Sequence, residues 1–312
     1  VVDPSSIDII PAAAVTSLTF RPAAGQENNG IVGAGARCEF SGVGCTLRLM
    51  KSGLTALSQI VFEDLEFRGA PSGGPTLFQC EDADGPVAFR RCILINRDTG
   101  AGAGEFIFFA WVGGAVTNLS FTNNMLFNPT GKNASIGLKI EDGGGALGTE
   151  TWSIDNNTVY GFTDVGIFGD NTFGSGATLN VRNNISVANG LPGGDYNVYS
   201  PTAFSDNLSS DATGTAGLTS KPAVDQFKDA TRTIAAVDMH LKAGADAIDV
   251  GANLGTTNDV NLDIAQYDRT AGTWDLGAGE LSSGPVAITK SFTDGIKAEE
   301  SFLKNTNNIF DD

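Results

Sequence analysis

The densest group of side chains that could do chemistry is the acidic run Glu81-Asp82-Ala83-Asp84-Gly85. Closely spaced carboxylates are the oxygen ligands that Ca²⁺ prefers, so Glu81, Asp82 and Asp84 are the candidate metal ligands. The run lacks the later ligands and the distal glutamate of a complete calcium loop. The alternative is a solvated turn, which the sequence favours. We therefore expect no bound cofactor, with calcium as the candidate if there is one.

A glycan-cleaving site would need two carboxylates placed for acid–base catalysis, or calcium with a basic residue beside it. Four aspartates near the C-terminus stand in turn-like sequence, where capping of backbone N–H groups explains them better than catalysis. They are Asp246, Asp249, Asp263 and Asp275. The single histidine, His240, lies in a strand-like segment, and a structural role is favoured. Because no nucleophile elbow, phosphate loop or metalloprotease motif occurs, we assign no catalytic residue.

Aromatic side chains are a second candidate ligand-binding group, because exposed rings could stack on sugars. The candidates are Trp111, Trp152, Trp274, Tyr160, Tyr196 and Tyr199. Packing in the core or against the ends of the fold is the favoured role for most of them.

The four cysteines, Cys38, Cys45, Cys80 and Cys92, form no C-x-x-C pair, so a zinc site is not expected. Cys80 and Cys92 lie in apolar runs and are interpreted as buried free thiols. Disulfide pairing of Cys38 with Cys45, or of Cys80 with Cys92, stays open at this point.

Charge and hydropathy limit the classes of partner. The net charge is −17 and the pI is about 4.3, so the surface repels nucleic acid and anionic membranes. No apolar run reaches the roughly 20 residues of a spanning helix. The chain begins Val1-Val2-Asp3 with no visible signal peptide, so we expect its start to be processed or missing. With 41% hydrophobic and 18% charged residues, the chain is expected to fold.

The strongest feature of the sequence is a repeat, and the fold that it builds must position the candidate metal-binding and sugar-binding side chains. Strand-like runs with alternating apolar residues and a polar pair occur at 61–67, 87–94, 119–127, 152–160, 179–187 and 203–208. Aligned on the second residue of the pair, they match at Asp64, Arg91, Asn124, Asn157, Asn184 and Asn207. Steps of about 23 to 33 residues indicate a solenoid, and the absence of helical periodicity excludes helical repeats.

Further strand-like segments lie between these runs, at 76–80, 105–111, 135–140 and 165–168. Two or three short strands per repeat are what one coil of a parallel β-helix needs, and each coil must bury its apolar face against its neighbours. We predict an apolar column of Phe89, Phe121, Ile154 and Val181. We also predict that Asn124, Asn157 and Asn184 stack as an internal ladder, because Asn tolerates sharp corners and its amide can bond to its equivalent one coil away. A sugar-binding row is the alternative.

We predict three regions: parallel β-helix coils over 1–210, C-terminal coils and an irregular cap over 211–280, and a terminal arm or linker over 281–312. Open strand edges at the ends of a solenoid must be covered, which is why a cap is expected. Gly-rich insertions at 98–104, 142–148 and 171–176 are expected to emerge from one face of the coils.

The C-terminal stretch resembles the closing segment of the right-handed parallel β-helix repeat family. Members typically show Asp-Phe-His-Leu, Gly-Ser-Pro-Ala-Ile-Asp-x-Gly, Asp-Ile-Asp-Gly and Tyr-Asp-Ile-Gly-Ala-Tyr-Glu. This chain keeps His240-Leu241, Ala247-Ile248-Asp249, Gly251, Asp263 and Trp274-Asp275-Leu276-Gly277-Ala278. It departs from the pattern with Ala245-Asp246 in place of Ser-Pro, and with Ala265-Gln266 after Asp263-Ile264.

The layout also resembles virion-associated β-helix proteins of tailed bacteriophages, in particular at Arg21-Pro-Ala-Ala-Gly-Gln26, which is similar to their first-coil region. The resemblance implies a non-enzymatic structural protein of the phage particle, as a fibre, a spike or a capsid-decoration component with adhesion to a host surface or glycan. The alternative is an extracellular polysaccharide lyase or hydrolase. Expected partners are other virion proteins, further copies of the chain in a homotrimer, and cell-surface glycans. Nucleic acid binding and membrane insertion are not expected. The expected location is the virion, or otherwise the extracellular space.

Overall fold

Short strands dominate the computed structural model, which describes residues 6–9, 17–40, 46–50, 59–69, 76–81, 86–97, 106–112, 118–132, 134–142, 150–170, 178–190 and 194–281. In chain order the strands are β1 (Ser6–Ile9), β2 (Ser17–Phe20), β3 (Arg37–Phe40), β4 (Thr46–Met50), β5 (Gln59–Glu63), β6 (Glu66–Gly69), β7 (Thr76–Glu81), β8 (Val87–Arg90), β9 (Ile93–Asn96), β10 (Phe106–Val112), β11 (Asn118–Thr122) and β12 (Met125–Phe127). They continue with β13 (Ile136–Asp142), β14 (Thr151–Asp155), β15 (Thr158–Tyr160), β16 (Val165–Asp170), β17 (Thr178–Arg182), β18 (Ile185–Val187), β19 (Gly194–Tyr199), β20 (Ala203–Ser205), β21 (Leu208–Ser209), β22 (Phe227–Asp229) and β23 (Asp238–Leu241). One short helix spans Ala223–Gln226, and two 3-10 turns span Thr257–Asp259 and Arg269–Ala271.

The strands β1 to β21 form three parallel sheets of seven strands each. Sheet 1 has the order β1-β4-β7-β10-β13-β16-β19, sheet 2 the order β2-β5-β8-β11-β14-β17-β20, and sheet 3 the order β3-β6-β9-β12-β15-β18-β21. Neighbours in each sheet are three strands apart in the chain. The chain therefore adds one strand to each of the three sheets in turn, and each strand pairs with the equivalent strand of the next coil. This confirms the all-β, parallel β-helix fold, in which each coil contributes one strand to each sheet. Right-handed winding is the rule for such parallel crossovers.

Each repeat run contains two strands of different sheets, joined by a sharp corner. Strand β5 ends at Glu63 and β6 begins at Glu66, and between them Asp64 has a φ of 59°. The same left-handed corner recurs at Arg91, Asn123, Asn156, Asn183 and Asp206. Asn and Asp enter this region at lower cost than other side chains that carry a Cβ, which explains the polar residue at most of these corners.

In the first two repeats, the strand pairing in the structure differs by one residue from the alignment made on the sequence. Arg90 pairs with Thr122, so Arg91 lies beside Asn123 and not beside Asn124. The position equivalent to Asn124 in the preceding coil is therefore Cys92. The alignment failed here because Asp64 and Arg91 are the corner residues of their repeats, whereas Asn124 follows the corner of its own.

Apolar columns fill the space between the three sheets, as predicted. Phe89, Phe121, Ile154 and Val181 are in register on successive strands of sheet 2 and are completely buried. Phe62 stacks on Phe89 with ring centroids 4.7 Å apart. Burying one such side chain contributes about 1.5–3 kcal/mol, and the burial comes from the coils above and below as well as from the same coil, where Phe78 meets Phe89 with ring centroids 5.0 Å apart.

In sheet 3, the strands β9 and β12 are apolar on both faces, which explains why they read as apolar runs, whereas β3 and β6 carry charged residues such as Glu66 and Arg68. In β12, Leu126 belongs to the core between the sheets, whereas Met125 and Phe127 belong to a second core on the outer side. The partners in that second core come from the region after the last coil, including Phe227 and Leu276. Residues 223–281 therefore lie along the flank of the coils and cover the outer face of sheet 3.

The last coil is covered by a short polar segment directly after β21. Backbone N–H groups of β19, at the end of the solenoid, donate to side chains of this segment. Asp195 N–H donates to Asp211 Oδ2 (2.9 Å), and Tyr196 N–H donates to Thr213 Oγ1 (3.0 Å). These bonds occupy donors that a further strand would otherwise use. Apart from Leu281, the predicted terminal arm lies outside the described residues.

Replacing Phe121 with Ala should lower the free energy of unfolding by about 3–5 kcal/mol, because the cavity lies inside a column whose rings stack on one another. Urea titration followed by circular dichroism measures this change. Val224→Ala, at a side chain that is 64% exposed, is the control and should stay within about 0.5 kcal/mol of the unaltered chain. A loss below about 1 kcal/mol for Phe121→Ala would contradict the packing described here.

Candidate functional site

The predicted metal ligands fall largely outside the part of the chain that the structure describes. Glu81 is the last residue of β7, and its side chain is outside the described residues, as are Asp82 and Asp84 altogether. Among the described residues, no three His, Cys, Asp or Glu side chains come together in a way that could hold a metal ion. Within that same part of the chain, no helix has the length and hydrophobicity needed to cross a membrane.

The predicted asparagines lie in one column through successive coils. Asn124 Nδ2 donates to Asn157 Oδ1 (3.1 Å), and Asn157 Nδ2 donates to Asn184 Oδ1 (3.0 Å). Asn207 continues the column, since its Oδ1 accepts from Asn184 Nδ2 at 3.0 Å. All four side chains are completely buried.

The amides of Asn124, Asn157 and Asn184 are bonded to the coils on both sides of their own. Asn157 Oδ1 also accepts from the Asn124 backbone N–H (3.0 Å), and Asn157 Nδ2 also donates to the Phe121 carbonyl (2.8 Å). The same pattern repeats at Asn184, which donates to the Ile154 carbonyl at 2.9 Å. Because these donors and acceptors are used within the fold and shielded from solvent, the ladder holds the coils in register and does not present its amides to a sugar.

Different side chains occupy the two ends of the ladder. One coil before Asn124, the Cys92 thiol lies 3.6 Å from the Phe62 carbonyl, which corresponds to the carbonyl that an asparagine would contact there. Burial raises the pKa of Cys92 to about 12, so the group remains a neutral thiol. At the other end, the Asn207 backbone N–H donates to Thr215 Oγ1 (3.0 Å). Cys92 is a free thiol, as is Cys38, whereas Cys45 and the side chain of Cys80 lie outside the described residues.

A second row of asparagines, at the corners themselves, fixes the C-terminal segment to the coils. Asn156 Nδ2 donates to the Val260 carbonyl (3.0 Å), and Asn123 Nδ2 donates to the same carbonyl (3.2 Å). Asn183 makes a reciprocal pair with Ala252, donating to its carbonyl and accepting from its N–H. This role of the corner asparagines was not predicted from the sequence, although the doubled Asn-Asn pairs indicated that each corner carries two amides.

The closing motif is a buried ionic cluster. The Arg269 guanidinium, with its side chain 0% exposed, lies 2.9 Å from Glu280 Oε1 and donates to the Asp275 and Gly277 carbonyls. Asp263 Oδ2 accepts from the Glu280 N–H, and Asp275 Oδ2 accepts from the Leu281 N–H. The carboxylates therefore cap backbone N–H groups and hold the last described residues in place, in line with their predicted structural role.

Burial raises the pKa of Glu280 to about 7; Arg269 opposes the rise, and Asp275 and Asp263 add to it. The pKa values of Asp263 and Asp275 are raised as well, chiefly by burial. One arginine faces three buried carboxyl groups, so the cluster favours retaining a proton near neutral pH.

The remaining candidates of the closing motif have local partners. His240 Nδ1 lies 2.7 Å from Asp238 Oδ1 within β23, so the histidine is fixed to its own strand. Asp246 is 2.7 Å from Lys221 Nζ and also accepts from Gln226, and Asp249 accepts from the Thr273 hydroxyl.

Most of the aromatic candidates are core residues. The buried ones are Trp152, Trp274, Tyr160 and Tyr196. Tyr199 differs, because it is 48% exposed on sheet 1. The side chain of Trp111, in β10 of the same sheet, lies outside the described residues.

Replacing Asn157 with Leu should lower the free energy of unfolding by about 3 kcal/mol or more, because the buried Asn124 N–H and Phe121 carbonyl lose their partner. Chemical unfolding of the full chain measures the loss. Asn180→Ala, on the outward side of sheet 2, is the matched control and should change stability by less than about 0.5 kcal/mol. Equal losses of unfolding free energy in the two variants would show that the ladder contributes no more to stability than an outward-facing asparagine.

The Glu280→Gln variant should change how stability depends on pH. The folded pKa of Glu280 lies above its ordinary value of 4.5, so its contribution is present at low pH and is lost as the pH rises from 4.5 to about 7. The neutral amide removes this loss, which is on the order of 3 kcal/mol. Unfolding curves at about pH 5 and about pH 8 test it, and the variant should show the smaller decline. An unchanged decline would contradict the assignment.

A scan against protein-family models finds no match to this sequence, and a search of curated proteins finds none either. The resemblance of the closing motif to β-helix repeat proteins therefore stands on its residues and on the fold. In the structure those residues cap backbone groups and cover sheet 3, which are structural roles. A role in a phage particle remains a proposal.

Proposed function

We propose that the protein is a non-enzymatic structural component of a tailed-phage virion, as a fibre, a spike or a capsid-decoration protein with adhesion to a host surface or glycan. The observation that carries this proposal is the use of buried polar groups to lock the coils. The amides from Asn124 to Asn207 bond across four coils, and the corner asparagines bond the flanking segment.

A scaffold held in this way suits a particle component that must keep its form outside a cell. The carboxylates of Asp263, Asp275 and Glu280 are engaged by backbone N–H groups, and Glu280 also by Arg269, an arrangement that serves stability. The proposed location in a phage particle rests on the resemblance to virion-associated β-helix proteins. Its partners would then be other virion proteins or further copies of the chain, including a homotrimer.

Density-gradient fractionation of a phage lysate from the source host, probed with an antibody against the recombinant chain, tests the location. We expect the chain to band with intact particles, and immunogold imaging to place it on head or tail. Recombinant chain is incubated in parallel with a panel of polysaccharides, and reducing ends are assayed. Recovery of the chain only in the soluble fraction, together with release of reducing ends, would replace the proposal with an extracellular lyase or hydrolase.

A further inference from the structure

The outer side of sheet 1 carries a row of polar and aromatic side chains outside both apolar cores. Lys139, Phe168 and Asn197 are in register on β13, β16 and β19, and Glu141, Asp170 and Tyr199 are in register two residues further along the same strands. Alternate residues of these strands, such as Leu138, Ile167 and Tyr196, are buried in the core between the sheets. We call the six partly exposed residues the outer row.

Contacts within the outer row hold its rings in place. Phe168 and Tyr199 meet edge to face, with ring centroids 6.1 Å apart at 63°. Lys139 Nζ lies 5.4 Å from the centroid of Phe168 and 2.6 Å from Glu141 Oε1. The rings are thus oriented before any ligand arrives, which lowers the entropic cost of binding.

We infer that the outer row binds a neutral glycan chain that runs across the coils, which is the adhesive part of the proposed function and rests on it. A pyranose offers a face of C–H groups to an aromatic ring, and its hydroxyl groups bond to carboxylates and amides. The outer row supplies the exposed ring of Tyr199 together with the polar groups of Glu141 and Asn197. Strands in a sheet repeat at about 4.8 Å, which is close to the length of one sugar unit in an extended chain.

The same two register positions continue into earlier coils. Phe109 of β10 and Gln79 of β7 follow the position of Lys139, and Trp111 and Glu81 follow that of Glu141. Aromatic and polar residue types therefore recur at these register positions of sheet 1.

Charge and surface chemistry favour a neutral glycan over an acidic glycan, and over a second copy of the chain, as the ligand of the outer row. Glu141 and Asp170 outnumber Lys139 in the outer row, and the whole chain carries −17, so a glycan rich in uronic acid would be repelled. A second copy of the chain would carry the same excess of negative charge. It would also need an apolar centre for its interface, and among the described residues Tyr199 is the one largely exposed large apolar side chain on sheet 1.

Native affinity electrophoresis of the full chain, in gels cast with a neutral β-glucan, a neutral galactomannan or polygalacturonate, tests this inference. We expect at least one neutral polymer to retard the chain and polygalacturonate to leave it unretarded. Tyr199→Ala should weaken binding to the retarding polymer roughly tenfold, whereas Tyr199→Phe, which keeps the ring, should retain it. Circular dichroism checks that both variants are folded.

Three outcomes would overturn the inference: no retardation by either neutral polymer, equal binding by Tyr199→Ala, or Tyr199-dependent self-association in sedimentation. Any of these would leave the particle association untouched, because banding with virions does not depend on Tyr199. Failure to band with particles while neutral glycan is bound through Tyr199 would instead reject the virion and keep the binding surface.

Discussion

A buried amide in the middle of this solenoid needs four hydrogen bonds, and only the coils above and below can supply them. Asn157 satisfies this requirement with Asn124, Phe121 and Asn184. A slip of one residue between coils would break these bonds and also move apolar residues from the core to the outside. The ladder and the apolar columns therefore require the same register, and together they fix the position of each coil on its neighbours.

The solenoid could be predicted because its cause is local and repeats. Alternating apolar residues and a polar corner recur in every coil, so one sequence shows the same solution several times. The one-residue error at Asp64 and Arg91 has a physical origin, since the sequence does not reveal which member of a polar pair takes the left-handed corner. Only the φ values and the pairing of Arg90 with Thr122 separate the two positions.

Long-range contacts lay beyond sequence reasoning. Asn156 contacts Val260, which is 104 residues away, and no local pattern indicates that partner. The outer apolar face of sheet 3 was visible as uninterrupted apolar runs, such as Ile93-Leu94-Ile95, yet nothing in those runs says which segment covers them. The C-terminal motif was expected to extend or cap the coils, and it packs instead against their side, where it covers apolar residues of sheet 3. The outer row was missed because Phe168, Asp170 and Tyr199 become neighbours only through the pairing of β16 with β19.

The side chains over the last coil also set a boundary on assembly. Side-chain oxygens of Asp211, Thr213 and Thr215 accept from backbone N–H groups that could otherwise donate to a strand of another chain. The solenoid therefore has a built-in stop, and the number of coils is fixed by the gene and not by concentration. A strand from another copy could add at that end only by first breaking these bonds, which disfavours polymerisation through it and leaves the choice of neighbour to side-chain chemistry.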